Sequence, residues 1–410
     1  MKKKKAKRAK HMKVKRKVVK KPRKKVIFFV IDGMADLPIN GKTPLSVARK
    51  PNLDYLAANG MTGELKLVPE KLEVASQVAN VSLLGFNPEN YHLQRGPLEA
   101  IGADQPYKEG HLALRCNFAT VDKDLVVLDR RAGRTSFGLN DIARYINEHV
   151  NIGAPFVIRN TFGHRAVLVI KEKLSDKING NDPRVVGERV GQVEALTPEA
   201  EKPARLVQDF IDKSREIIEF HAANEQRMRN GIMPANYILV RDAGNQLPKL
   251  PSFTKRHKLV KAVCIAENGV MKATCLLAGF NSVTVPELKF ESTLKFIFDA
   301  IDTAIPEYDF IYVHIKGPDE PAHDGDFHRK QMMIERIDKE LESFRDFKGI
   351  VVVTCDHITS CKLRGHAHGS VPFVVHGKGK DRIDKFDEFA VKKGRMGMMT
   401  GKQLINFVLR

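Results

Sequence analysis

The sequence predicts an α/β fold: a core built on a mainly parallel sheet covered by helices on both faces, plus an inserted α+β domain. Three observations carry this reading. Apolar, β-branched runs at Lys25–Ile31 (KVIFFVI), Tyr237–Val240, Val260–Ile265, Phe310–His314 and Ile350–Thr354 lack polar alternation, as strands buried on both faces do. Helical spacing between them, near residues 269–278, 289–304 and 328–346, gives the strand–helix alternation of a parallel sheet. From about residue 110 to 232 the texture changes, and His111–Val121 (HLALRCNFATV) alternates apolar and polar side chains as a half-buried antiparallel strand does.

Taken in order, the chain opens with a basic block. Residues 1–25 hold 16 of the 69 Lys and Arg and no acid, so the other 385 residues carry 53 basic against 49 acidic side chains. The net charge of +20 therefore belongs mostly to a tail. Like-charge blocks stay disordered, so residues 1–24 are expected to be a disordered tail suited to weak, salt-sensitive contact with nucleic acid or another polyanion. Pro44–Asn59 reads as a helix capped by Thr43 and stopped by Gly60. A second helix runs from Ser76 to Gly85. Leu125–Leu128 pairs back on His111–Val121 across an Asp122–Lys123 turn, a helix spans Leu139–Val150, and Val157–Arg159 and Ala166–Ile170 are short strands. Residues 173–200 are polar and rich in Gly, Asp and Pro, a long loop; Glu201–Asn230 reads as one amphipathic helix. Val371–Val375 is a further strand and Thr400–Leu409 a closing helix. The expected division is a core of residues 25–109 and 233–410, with residues 110–232 inserted.

No run of about 18 apolar residues appears, so no membrane span is expected. The N-terminus has no apolar segment of a secretory signal. Five cysteines, odd in number and without a CxxC pair, fit a reduced, cytoplasmic protein.

The chemistry sits where strands end. Asp32 follows Phe28–Ile31; Asp319 and His323 follow Phe310–Pro318; Asp356 and His357 follow Val351–Thr354, with His366 close behind. Open α/β sheets bind ligands at the carboxyl ends of their strands. Carboxylates and imidazoles gathered there supply the oxygen and nitrogen donors that Mn²⁺, Zn²⁺, Co²⁺ and, less readily, Mg²⁺ accept.

Asp32-Gly33, Ser76, Asp319-x-x-x-His323, Asp356-His357 and His366 before Val371-Pro372 together resemble the pattern of the alkaline phosphatase superfamily. KTPLSVARKPNLDYLAANG, RGPLEAIG, NFATVDKDLVVLDRRAGR, TFGHRAVLVI, NDPR and PANYILVRDAG narrow the resemblance to the archaeal-type cofactor-independent phosphoglycerate mutases, over nearly all of residues 25–410. It implies an alkaline-phosphatase-like core with a substrate-binding cap. It implies two divalent metal ions: Asp32, Asp356 and His357 would hold one, in contact with Ser76, and Asp319, His323 and His366 the other. Ser76 would be the nucleophile, taking a phosphoryl group from 3-phosphoglycerate and returning it to the 2-hydroxyl of glycerate. Asp129, Arg130, Arg131, Arg134 and His164 would bind the phosphoglycerate. The chain departs from the family at Gln77 and Asn80, amides where the family has an acid and a histidine. Asn80 cannot carry a proton in acid–base work. A phosphohydrolase on another small phosphate ester, or a metal-binding paralog without turnover, are the rival expectations.

Overall fold

A computed structural model describes residues 24–410; the expected basic tail lies outside the described residues, apart from Lys24. The eight-stranded principal sheet runs in the order Met398–Thr400, Gly60–Lys66, Val371–His376, Ile350–Thr354, Val26–Ile31, Phe310–Ile315, Ala262–Ala266, Asn281–Thr284. Val371–His376 alone runs against its neighbours; Val26–Ile31 lies at the centre, parallel to Phe310–Ile315 on one side and to Ile350–Thr354 on the other. That placement follows from sequence: all six of its residues are apolar and buried, which only a strand covered above and below tolerates.

Successive side chains on a strand point to opposite faces, and Phe28 and Phe29 show both faces filled. Phe29 packs on Phe298 and Phe344, with ring centroids 5.9 and 5.3 Å away, from the side carrying the helices Pro51–Ala58, Phe290–Ala304 and Phe327–Glu340. Phe28 stacks on Tyr312 at 5.8 Å, whose hydroxyl donates to Asn80 on the helix Ser76–Leu83. The helices Val270–Leu277 and Gly401–Leu409 pack beside that one. At about 25 cal/mol per Å² of buried apolar surface, this double-sided burial is what holds the central strands, and hence the residues at their ends, in register.

The second body is a five-stranded antiparallel sheet: Val127–Asp129, His111–Val121, Arg165–Lys173 and Phe156–Phe162 in order, with Tyr237–Gly244 also paired to His111–Val121. It has its own core, in which Leu114, Phe118 and Leu168 meet Ile142 of the helix Leu139–His149 and Phe210 of the helix Glu201–Ile218.

Several expectations are corrected. Tyr237–Gly244 belongs to this smaller sheet, not to the parallel one, so the chain returns to the principal sheet only after residue 244. An apolar run cannot say which sheet it joins; here the ladder on Cys116–Ala119 decides it. Pro44–Asn59 is two helices, Pro44–Val47 and Pro51–Ala58, because Pro51 lacks the N–H that a continuous helix needs there. Glu201–Asn230 breaks likewise: His221 caps a separate helix, Ala222–Arg229, through Nδ1 to the Ala223 N–H. Among the described residues, no helix is long and apolar enough to cross a membrane, and all five cysteines are free and buried.

Candidate metal centre and active site

Two parallel neighbours and a short hairpin bring the acidic strand ends together. Asp32 N–H donates to the Ile315 carbonyl (2.9 Å), which seats Asp32 beside the segment leading to Asp319. Gly33 N–H and His357 N–H both donate to Asp356 Oδ1, at 3.1 and 3.0 Å, so one carboxylate ties the first strand end to the third. The paired short strands Ile358–Ser360 and Gly365–Ala367 then carry His366 back over the site.

The six sequence-derived candidates fall into two groups: Asp32, Asp356 and His357, all buried, and Asp319, His323 and His366, partly exposed. Donor atoms within each group lie within 4.8 Å of one another. Ser76, first residue of the helix Ser76–Leu83, stands with its Oγ 3.3 Å from His357 Nε2. The His357 and His366 rings stack at 3.9 Å, so the groups adjoin. His368 lies outside both, with Nδ1 3.7 Å from Glu70.

The donor set fits divalent cations. His323 Nδ1 lies 3.1 Å from the Arg364 carbonyl and His366 Nδ1 3.0 Å from the Val74 carbonyl. Carbonyls only accept, so each Nδ1 carries a proton and Nε2 of each ring is the atom left for a cation. Those two Nε2 atoms face each other at 3.2 Å, an arrangement that a cation between them resolves and that matches the usual outer partners of ligating histidines. In the buried group, Asp32 Oδ1 and Asp356 Oδ2 accept no hydrogen bond. Burial, with the Asp356 and Asp319 charges alongside, pushes the Asp32 carboxyl well above the usual carboxylate range; a bound cation reverses such a shift.

The candidate substrate residues divide. The loop Asp129–Arg134 has three successive left-handed residues, Ala132 (φ 39°), Gly133 (71°) and Arg134 (59°), a conformation that non-glycine residues hold only under external constraint. Asp129 supplies part of it, accepting from the Arg131 and Gly133 amides at 2.8 and 2.7 Å. Buried Arg227 supplies the rest, donating to the carbonyls of Ala132, Phe137 and Met233. Arg130 forks onto Asp182 at 2.9 and 2.6 Å. Thus Asp129 and Arg130 are engaged within the smaller body. Arg131 and Arg134 point across to the principal one: Arg134 grips Asp324 at 2.7 and 2.6 Å and reaches Glu320 at 3.2 Å, and Arg131 lies 3.9 Å from Asp324. Asp324 and Glu320 share the helix of Asp319 and His323. Burial and the charges of Arg165, Arg131, Arg115 and Arg134 lower the His164 pKa to about 2, so that ring stays neutral.

Asn80 turns away from both groups. It is fully buried, donates to the Met271 carbonyl (3.1 Å) and accepts from Tyr312. Lys316 lies close to the site by sequence, without an assigned role, and Thr359 escaped sequence reasoning. Lys316, two residues beyond the His314 strand position, pairs with buried Glu267 at 3.0 Å and lies 4.4 Å above the Phe162 ring of the smaller body. Thr359 hydrogen-bonds a member of each acidic group. Its place directly behind Asp-His was the only available signal.

This fold and this site define a class, the α/β enzymes whose strand ends gather groups of residues able to hold metal ions. The family model for 2,3-bisphosphoglycerate-independent phosphoglycerate mutase matches residues 57–224. A mutase of that description from Methanosphaera stadtmanae is 36% identical over 400 residues, 94% of this chain and 97% of its own; one from Methanoculleus marisnigri is 37% identical over 404 residues, 94% and 96%. The solved cofactor-independent phosphoglycerate mutase of Thermoplasma acidophilum is 29% identical with a TM-score of 0.57, covering 94% of this chain and 99% of that one. The chain belongs to the family of 2,3-bisphosphoglycerate-independent phosphoglycerate mutases.

Proposed function

We propose that the protein interconverts 3-phosphoglycerate and 2-phosphoglycerate, the glycolytic and gluconeogenic step, in the cytoplasm and through a phosphoserine at Ser76. Family membership supports the substrate; the observation that carries the mechanism is the Ser76 hydroxyl, 3.3 Å from His357 at the seam of the two acidic groups. Asp32, Asp356, His357 and Ser76 would hold one divalent ion, and Asp319, His323 and His366 a second, drawn from Mn²⁺, Zn²⁺, Co²⁺ or Mg²⁺. Such ions, when bound, lower the pKa of a nearby hydroxyl and offset charge on a transferring phosphoryl group.

Ser76 Oγ attacks the phosphorus of 3-phosphoglycerate, the bond to the C3 oxygen breaks, and the serine proton ends on that oxygen. Glycerate stays, its 2-hydroxyl attacks the phosphoserine, and the proton returns to Ser76. The amides at the start of the helix Ser76–Leu83 add positive potential where the phosphoryl group rests. Arg131 and Arg134, planar forks suited to carboxylate and phosphate, exchange Asp324 and Glu320 for substrate, with neutral His164 beside them. Asp129 and Arg130, on the same loop, hold its shape through the Arg131 and Gly133 amides and Asp182. The smaller body serves as a cap that retains glycerate and keeps water from the phosphoserine; its ion pairs from Arg134 to the helix Asp319–Asp324 support this role. The test is metal-loaded enzyme with 3-phosphoglycerate and no bisphosphoglycerate. 2-Phosphoglycerate with little free phosphate is expected. Stoichiometric phosphate would make it a phosphohydrolase, and no product a paralog without turnover.

A further inference from the structure

Thr359 lies fully buried on the short strand Ile358–Ser360. Its Oγ1 donates to Asp319 Oδ1 at 2.7 Å and lies 3.1 Å from His357 Nδ1. A hydroxyl has one proton, and an ionised carboxylate can only accept. The proton therefore goes to Asp319, and the contact with His357 is made by an Nδ1–H that donates to Thr359. This fixes the proton on Nδ1 and leaves Nε2, 3.3 Å from Ser76 Oγ and 3.1 Å from Asp356 Oδ2, as the ring atom that a cation would take in place of its proton. The strand end at Asp32 closes against the same hydroxyl. A Cβ at position 33 would stand 2.5 Å from Thr359 Oγ1 and 2.9 Å from Asp319 Cα, and Gly33 has φ +59°. The turn after Asp32 closes over Thr359 only because residue 33 is glycine.

We infer that Thr359 is a positioning residue that couples the two acidic groups: one hydroxyl sets the His357 tautomer in the first and orients Asp319 in the second. The inference rests on both groups binding metal. Its consequence is that loss of one buried hydroxyl weakens ion binding at both groups, although it is a ligand in neither. Outer partners of metal ligands are worth about 10- to 100-fold in affinity, so Thr359→Val, which keeps the side-chain shape, lowers Mn²⁺ affinity by about that factor for both ions. Thr359→Ser, which keeps the hydroxyl, binds like the parent.

The experiment has two readouts. Calorimetric titration of the metal-free chain with Mn²⁺ compares parent, Thr359→Val and Thr359→Ser. Separately, ¹⁵N shifts of the histidine rings in the metal-free parent report the His357 tautomer, a quantity that a purely space-filling role for Thr359 would not set. Expected are a proton on Nδ1 in the parent, its loss of preference in Thr359→Val, and weakened binding of both ions. Parent-like affinities in Thr359→Val, or an Nδ1 without a proton in the parent, would overturn the coupling. Should Thr359→Val fail to fold, the parent tautomer and the Thr359→Ser affinities still decide. A parent that takes up no Mn²⁺ while showing the Nδ1–H tautomer refutes the metal reading, and the coupling falls with it.

Discussion

Lys330→Met perturbs the buried bracket beneath the site. Lys330, on the helix Phe327–Glu340, is 0% exposed and its Nζ makes three hydrogen bonds: to the Ala35 carbonyl (3.0 Å), Asp36 Oδ2 (2.9 Å) and the Thr359 carbonyl (2.7 Å). It thereby clamps the segment after Asp32 to the segment after His357. Methionine has similar length, so little cavity forms. The loss is electrostatic: two buried carbonyls and a buried carboxylate are left without their cation. Removing one partner of a buried ion pair costs about 3–5 kcal/mol. Asp36 keeps backbone donors at Leu37 (2.8 Å) and Cys361 (3.2 Å), which places the change toward the lower end of that range. The assay is urea unfolding of parent and variant at fixed metal concentration, with Asp36→Asn added in the Lys330→Met background. The single variant should lose about 3 kcal/mol along with much of its metal occupancy, and the second change should recover part by neutralising the stranded carboxylate. A loss below about 1 kcal/mol, the value of an ordinary hydrogen bond, would refute the reasoning.

Arg134→Ala removes an exposed ion pair, so stability should change by no more than about 1 kcal/mol, while KM for 3-phosphoglycerate rises at least tenfold; steady-state kinetics beside a melting curve separate the two effects. His164 has its folded pKa depressed to about 2 by burial and nearby guanidinium groups, so only the unfolded chain takes up its proton as pH falls below the ordinary imidazole value. The folded state therefore loses stability on the acid side of that value, and His164→Gln should flatten this part of the stability–pH curve. Deleting residues 1–23 should leave the mutase rate unchanged and remove salt-sensitive binding to RNA, measured by filter retention over a salt series.

Much of the principal sheet was legible because its central strands are mainly apolar runs, and their ends were legible because Asp32, Asp319 and Asp356 follow within a few residues of where those runs stop. Sequence periodicity fails where context decides. Tyr237–Val240 is as apolar as a parallel strand, yet it pairs with His111–Val121. Gly60–Lys66 mixes glycine and polar residues, and becomes a strand through its ladder with Val371–His376. At the site, the family resemblance pointed to Asp129 and Arg130 as binding groups, and what it could not give is that their charges meet backbone amides and Asp182. Spacing gives no hydrogen-bond partners. For the same reason Thr359 and Lys330 were invisible: a threonine and a lysine in amphipathic or mixed segments carry no mark of burial until the fold closes around them.

The central claim is that phosphoryl transfer passes through Ser76. Rapid quench of metal-loaded enzyme with 3-phosphoglycerate, followed by peptide mass spectrometry, tests it most directly. Phosphate on Ser76 at early times, absent from Ser76→Ala, which stays folded and forms no 2-phosphoglycerate, is the predicted result. Undiminished 2-phosphoglycerate formation by Ser76→Ala, with no phosphorylated Ser76 peptide in the parent, would contradict it.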